Sequence, residues 1–276
     1  MRSRAAGSRI TDKSHRAATL IARLGFAARG LVYLLVGWFA LDAARRGNAP
    51  ADNQEAMGSL LHQPLGQVLL GIVTLGLLGY ALWRFSEAVF DPERRGTSAG
   101  AIVERIGFGW SALVHTTLAV YAGRLALRLA RPETRPGDER AQDWSGWLME
   151  QPGGVWLLGG IGLLLIGGAG AQAWKAWRNK FASELSGDVP LPRYVCMAGQ
   201  IGYAARALVF ALVGWALLAA AWHARAQEAG GMSQALRTLR DGPFGSLLLA
   251  IVAAGLMLFG VYSFIEARFR RVRVGK

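Results

Sequence analysis

Three stretches of this chain repeat one another, and that repetition constrains the fold more than any single motif. Residues 23–41 (RLGFAARGLVYLLVGWFAL), 105–123 (RIGFGWSALVHTTLAVYAG) and 200–218 (QIGYAARALVFALVGWALL) align with Gly25, Gly107 and Gly202 in register, and with Phe26, Phe108 and Tyr203 one residue on. Downstream, Pro64, Pro152 and Pro243 coincide, each followed two residues later by a glycine: Gly66, Gly154 and Gly245. A leucine stands four residues before each proline (Leu60, Leu148, Leu239), and Ala56, Trp144 and Ala235 stand eight before. That helical spacing predicts a short amphipathic helix ahead of each proline. The proline is expected to open the helix that follows, where its missing N–H costs nothing.

Each repeat holds two long apolar runs. Crossing about 30 Å of hydrocarbon takes about 20 mostly apolar residues. Six runs meet that need, roughly at 24–43, 65–85, 106–126, 154–174, 201–222 and 244–264. Composition agrees: 53% of residues are hydrophobic and 18% charged, against about 45–50% and 25% in soluble domains. Glycine, 36 of 276 residues, suits closely packed transmembrane helices. The basic N-terminal stretch before the first run would also suit a secretory signal. Recurrence of the same run as the fifth argues for a retained helix instead. The expected fold is an all-α integral membrane protein. Its six transmembrane helices form three parallel two-helix repeats about a pseudo-threefold axis, with short interfacial helices before the even spans. The organisation reads as a basic tail (1–19), repeats at 20–95, 96–185 and 186–268, and a second basic tail (269–276). The odd helices, which carry the Arg, Tyr and His side chains, are expected to line the axis.

The net charge is +13. The basic residues flank apolar runs, so the excess reads as positive-inside bias and contact with anionic lipid, with no nucleic-acid partner expected. Segments flanking the runs on the side of the termini carry 19 Lys and Arg, and those on the opposite side carry 10. Both termini are therefore expected to face the cytoplasm. Most tryptophans fall where interfacial belts are expected, with Trp83, Trp174 and Trp177 inside and Trp144, Trp147 and Trp222 outside. The single cysteine, Cys196, excludes an internal disulfide and any cysteine-ligated zinc. The four histidines lack the spacing of a helical metal site, and no phosphate loop or hydrolase elbow is present. No cofactor is expected.

The AAR-containing odd helices, the Pro-x-Gly even helices and the threefold two-span layout resemble the bacterial family called domain of unknown function 1206. The resemblance covers essentially residues 20–270. It implies a six-helix inner-membrane protein and lends no activity. The second copy departs from the pattern, with Ser111 in place of the arginine and His115 in place of Tyr33 and Phe210.

Arg29 and Arg206 lie about five residues into their spans, and Glu87 and Glu266 close the even spans on the same side. In the middle repeat the corresponding residues are Ser111 and Lys175, so both positions change together. This predicts structural ion pairs within each hairpin, Arg29–Glu87 and Arg206–Glu266. His115, near mid-span with Ser111, Thr116 and Thr117 beside it, is the intramembrane polar candidate. A neutral histidine bonded to a neighbour and a proton or solute path are both consistent with it. Three classes of function follow. The first is a non-catalytic module that organises lipids or membrane-protein partners, since the repeat-matched residues are packing and boundary residues. The second is a transporter or channel along the pseudo-axis. The third, a lipid-modifying enzyme, lacks any paired carboxylates, metal cluster or nucleophile–base set within the spans. The chain is therefore expected not to be an enzyme.

Overall fold

The computed structural model describes residues 2–47, 50–91, 96–131, 137–178, 185 and 192–270, with side chains from residue 19 onward. The basic run beyond Arg270 and the side chains of the N-terminal tail lie outside the described residues. Nine α-helices make up the described fold: α1 (Arg2–Arg46), α2 (Asn53–Ser59), α3 (Gly66–Phe90), α4 (Ala99–Ala126), α5 (Gly137–Met149), α6 (Gly154–Arg178), α7 (Arg193–His223), α8 (Met232–Asp241) and α9 (Gly245–Phe269). Five of them are long and apolar enough to cross a membrane: Thr19–Arg46 of α1, then α3, α6, α7 and α9. α4 is 28 residues long, but Trp110, Ser111, His115, Thr116 and Thr117 dilute its apolar character. Large apolar side chains cover the outside of the bundle. Trp156 is 86% exposed, Trp222 87% and Leu75 68%, an apolar surface that water would not support in a monomer.

The short helices precede α3, α6 and α9, as the spacing predicts. α2 opens with a capping box. The Asp52 carboxylate accepts from the Gln54 and Glu55 N–H groups, and the Glu55 carboxylate accepts from the Asp52 N–H. The prolines, however, do not open the following helices. Each stands two residues before the first helical residue, at the second position of a tight turn. The Gly66 N–H donates to the Gln63 carbonyl at 3.0 Å, and the Gly154 N–H to that of Gln151 at 2.9 Å. The residue after each proline takes a positive φ, with Leu65 at 60°, Gly153 at 75° and Phe244 at 56°, the geometry of a type II turn with proline ahead of a left-handed residue. The next residue must be glycine for space. A Cβ on Gly66, Gly154 or Gly245 would lie 2.1, 1.7 or 1.6 Å from the carbonyl oxygen of Leu60, Leu148 or Arg240. The Pro-x-Gly signature is thus a corner joining a short helix to a long one.

The most extensive helix contacts run between repeats. α3 packs on α4, α6 on α7, and α9 on α1, while α1–α3 and α7–α9 form the lesser contacts within hairpins. α4 and α6 share no comparable interface. Glycine sets these approaches: Gly30 lies against Gly260, Gly162 against Gly214, Gly25 against Tyr80, and Gly202 against Phe259. Gly107, their counterpart in the second repeat, has nothing within 4 Å. The second hairpin is splayed where the first and third are closed. At the α2/α5/α8 end, side chains tie the repeats into a circuit. Asp52 pairs with Arg140, Asp138 pairs with Arg237 and accepts from Ser233 at 2.8 Å, and Arg240 donates to the Gly47 carbonyl at 3.2 Å.

Candidate functional site: an arginine–aromatic cluster

At the opposite end of the bundle, α1, α3, α7 and α9 bring together four arginines. The repeat register explains why. Tyr80 and Phe259, equivalent residues of the even helices, each wedge between an aromatic of their own odd helix and a ring of the next one. Tyr80 meets Phe26 edge-on at 5.4 Å and His115 at 4.6 Å; Phe259 meets Tyr203 at 5.3 Å and Tyr33 at 4.9 Å. The third equivalent is Gly168. It supplies no ring, and Phe210 lies 3.7 Å from where its Cβ would be.

Arg29 sits at the centre, only 3% exposed. It donates to the Tyr80 hydroxyl at 2.7 Å, to Ser263 Oγ at 3.2 and 3.1 Å, and to Glu266 Oε2. The rings of Phe26, Tyr80 and Phe259 lie within about 5 Å of its guanidinium carbon. Glu266 accepts a second bond from Arg270 at 2.6 Å, and Ser263 donates to the Phe259 carbonyl. Tyr80 also accepts from Arg84 at 3.0 Å, and Arg84 pairs with Glu87 at 2.8 Å. A continuous chain therefore runs Glu87–Arg84–Tyr80–Arg29–Glu266–Arg270 across α3, α1 and α9. Burying an ion pair costs several kcal/mol per ion, and dense hydrogen bonding of this kind is what offsets it.

This corrects the expected pairing. The salt bridge of Arg29 is made to Glu266 of the third repeat, and Glu87 pairs with Arg84 on its own helix. The physical reason is the packing order. Each odd helix packs most extensively on the even helix of the preceding repeat, which brings Glu266 to Arg29, while on α3 the side chain that Arg29 reaches is Tyr80 and Glu87 is taken by Arg84. Arg206, expected to pair with Glu266, stacks instead on Tyr33, Phe210 and Phe259 at 5.1, 5.0 and 4.4 Å. Trp83, expected in an interfacial belt, packs against Phe26 and under Arg84 and Arg270. Trp174, Trp177, Trp144, Trp147 and Trp222 are exposed.

His115 borders the cluster. Its Nδ1 donates to the Ser111 carbonyl at 2.7 Å, which makes the ring the Nδ1–H tautomer when neutral. Thr116 and Thr117 are exposed, and their hydroxyls donate to the carbonyls of Ala112 and Val114 on their own helix. Of the candidate site residues, the structure gathers Arg29 and Glu266 and brings Glu87, Arg206 and His115 to the cluster's edges. Tyr80, Arg84, Phe259, Ser263 and Arg270 belong to it and were not singled out from sequence. The spacing Tyr80–Arg84–Glu87, matched by Phe259–Ser263–Glu266, was the available signal, since residues three and four apart share a helix face.

Taken together, long apolar helices, internal repeats and an ion-paired cluster buried among apolar spans define a polytopic helical protein of the membrane type. The chain belongs to the family described as Domain of Unknown Function (DUF1206), whose model matches residues 24–91, 106–179 and 201–270, one segment per repeat. It is 32% identical over 253 residues to the uncharacterized protein YxxB of Bacillus subtilis (strain 168), covering 91% of this chain and 90% of that protein. No solved structure matches.

Proposed function

We propose that this chain is a six-span protein of a bacterial inner membrane, with both termini cytoplasmic. Its role is that of a non-catalytic module that organises lipids or membrane-protein partners. A crossing α4 is supported by its 28-residue length, about 42 Å at 1.5 Å per residue, and by its extensive packing on α3. The three interfaces between successive repeats are of one kind, which favours a pseudo-threefold ring opened where α4 and α6 stand apart. The charge asymmetry puts the arginine cluster on the cytoplasmic side and the α2/α5/α8 circuit outside.

One observation carries the module reading over transport. His115, Thr116 and Thr117, which a path would use at depth, are bonded to carbonyls of their own helix, and the half of the bundle toward the circuit is filled by apolar side chains. Ala40, Ala119, Ala122, Leu125, Met57 and Leu236 there are at most 1% exposed. The surface left over is glycine-rich. Gly160, Gly167 and Gly170 of α6 have nothing within 4 Å, which suits close approach by another helix or by lipid.

The test is proton flux into proteoliposomes that enclose a pH-sensitive dye, with folding checked by the thermal transition. Wild type and His115→Ala should both match protein-free vesicles. A flux in wild type that His115→Ala abolishes would replace the module with a proton path.

A further inference from the structure

The third repeat keeps the arginine, half-buried as Arg206, and loses the carboxylate that the packing order assigns to it. Arg29 is met by Ser263 and Glu266 of the preceding even helix, α9. The even helix preceding Arg206 is α6, where the equivalent residues are Gln172 and Lys175. The antiparallel register of α6 and α7 brings them level. Gly159 faces Ala221, Gly162 faces Gly214 and Leu218, and Gly168 faces Phe210. Four residues further along α6 and four back along α7, Gln172 stands opposite Arg206, with Lys175 one turn on. Gln172 is 9% exposed, on the side of α6 that packs against α7. Its Oε1 and the Arg206 Nε are both buried without a hydrogen-bond partner among the described residues.

The chemistry left at this point is that of an anion site. Three rings hold the faces of the Arg206 guanidinium, and stacking leaves its in-plane N–H edge for an acceptor. A side-chain amide can present either its oxygen or its nitrogen to the same space. Among the described residues of the cluster, arginines 29, 84, 206 and 270 lie with the carboxylates of Glu87 and Glu266, so the surroundings favour a negative guest.

We propose that Arg206, Gln172 and Lys175 bind a phosphate group at the cytoplasmic end of the α6–α7 seam. The guest stands in for the carboxylate that Glu266 supplies to Arg29. The group can belong to a phospholipid headgroup or to a soluble phosphate, and both present the same oxygens to the guanidinium.

The full chain is tested by thermal unfolding in maltoside micelles, whose headgroups carry no phosphate. One arm compares inorganic phosphate with chloride at matched ionic strength. The other compares the micelles with and without added phosphatidylglycerol. A ligand at about a hundredfold over its Kd should raise the midpoint by about 5–10 °C in a chain of this size. A rise in the first arm identifies soluble phosphate, and a rise confined to the second identifies the headgroup. Arg206→Gln should abolish the rise. Lys175→Glu restores the arrangement of the first repeat, so it should raise the ligand-free midpoint and also abolish the increment. This second variant keeps the test decisive if Arg206→Gln fails to fold. A wild-type midpoint indifferent to both arms, or an increment that survives Lys175→Glu, overturns the proposal. Neither result depends on the flux experiment.

Discussion

Arg29 has five N–H donors, and four hydrogen bonds from them reach Tyr80, Ser263 and Glu266. Such a residue is held by its neighbours' positions more than by its own charge. Losing one member of a buried pair typically costs about 3–5 kcal/mol, because the survivor keeps its desolvation penalty. Arg29→Gln and Glu266→Gln should each destabilise by about that much. Their double variant should cost at least about 1 kcal/mol less than the sum, as for residues sharing one network. Coupling between Arg29 and Glu87, which are linked through Tyr80 and Arg84, should be smaller. Thermal unfolding of both cycles in one detergent reads the difference, and a larger Arg29–Glu87 coupling would restore pairing within the hairpin.

At the scale of elements, the same glycine in three repeats meets three different situations. A Cβ at Gly25 would lie 2.7 Å from Tyr80 Cβ and one at Gly202 2.7 Å from the Phe259 Cα, whereas one at Gly107 would touch nothing within 4 Å. Gly25→Ala and Gly202→Ala should therefore each cost about 1–3 kcal/mol through overpacking. Gly107→Ala should be neutral or gain up to about 1 kcal/mol from helix propensity. Comparison of the three midpoints checks this, and an equal loss at Gly107 would mean that α4 and α6 close on each other. The repeat motif marked all three glycines alike, because an odd-helix sequence carries no record of the even helix beside it. Gly168, where Tyr80 and Phe259 have their rings, is the residue that leaves the middle hairpin without its wedge.

For the whole molecule, the two ends are built differently. One end is latched by pairs among α2, α5 and α8 whose arginines are half-buried; the other buries its charges among rings. With the buried cluster cytoplasmic, the lone Cys196 near the start of α7 lies on the inner side, and Arg225, just past the end of α7, lies outside. In intact spheroplasts a membrane-impermeant maleimide should label Arg225→Cys and leave wild type unlabelled. Wild type should react only after permeabilisation. Labelling of wild type in intact spheroplasts would invert the orientation.

The sequence by itself determined what periodicity, composition and repetition record: an all-α chain, long apolar helices, a short helix and a Pro-x-Gly motif ahead of each even helix, and the family. These are local properties, settled within one or two turns of chain. Even there, the glycine two after each proline was legible as a marker, but its reason, a carbonyl under 2.2 Å from any Cβ, was not. Only the tertiary structure decided which helices are neighbours. The paired change to Ser111 and Lys175 pointed to an arginine–glutamate relation. It could not say that Arg29 reaches Glu266, some 237 residues away, while Glu87 turns to its own helix. Partner choice among buried charges follows from which surfaces pack, and in a repeat protein several packings satisfy the same pattern until side-chain volumes at Gly168, Tyr80 and Phe259 select one.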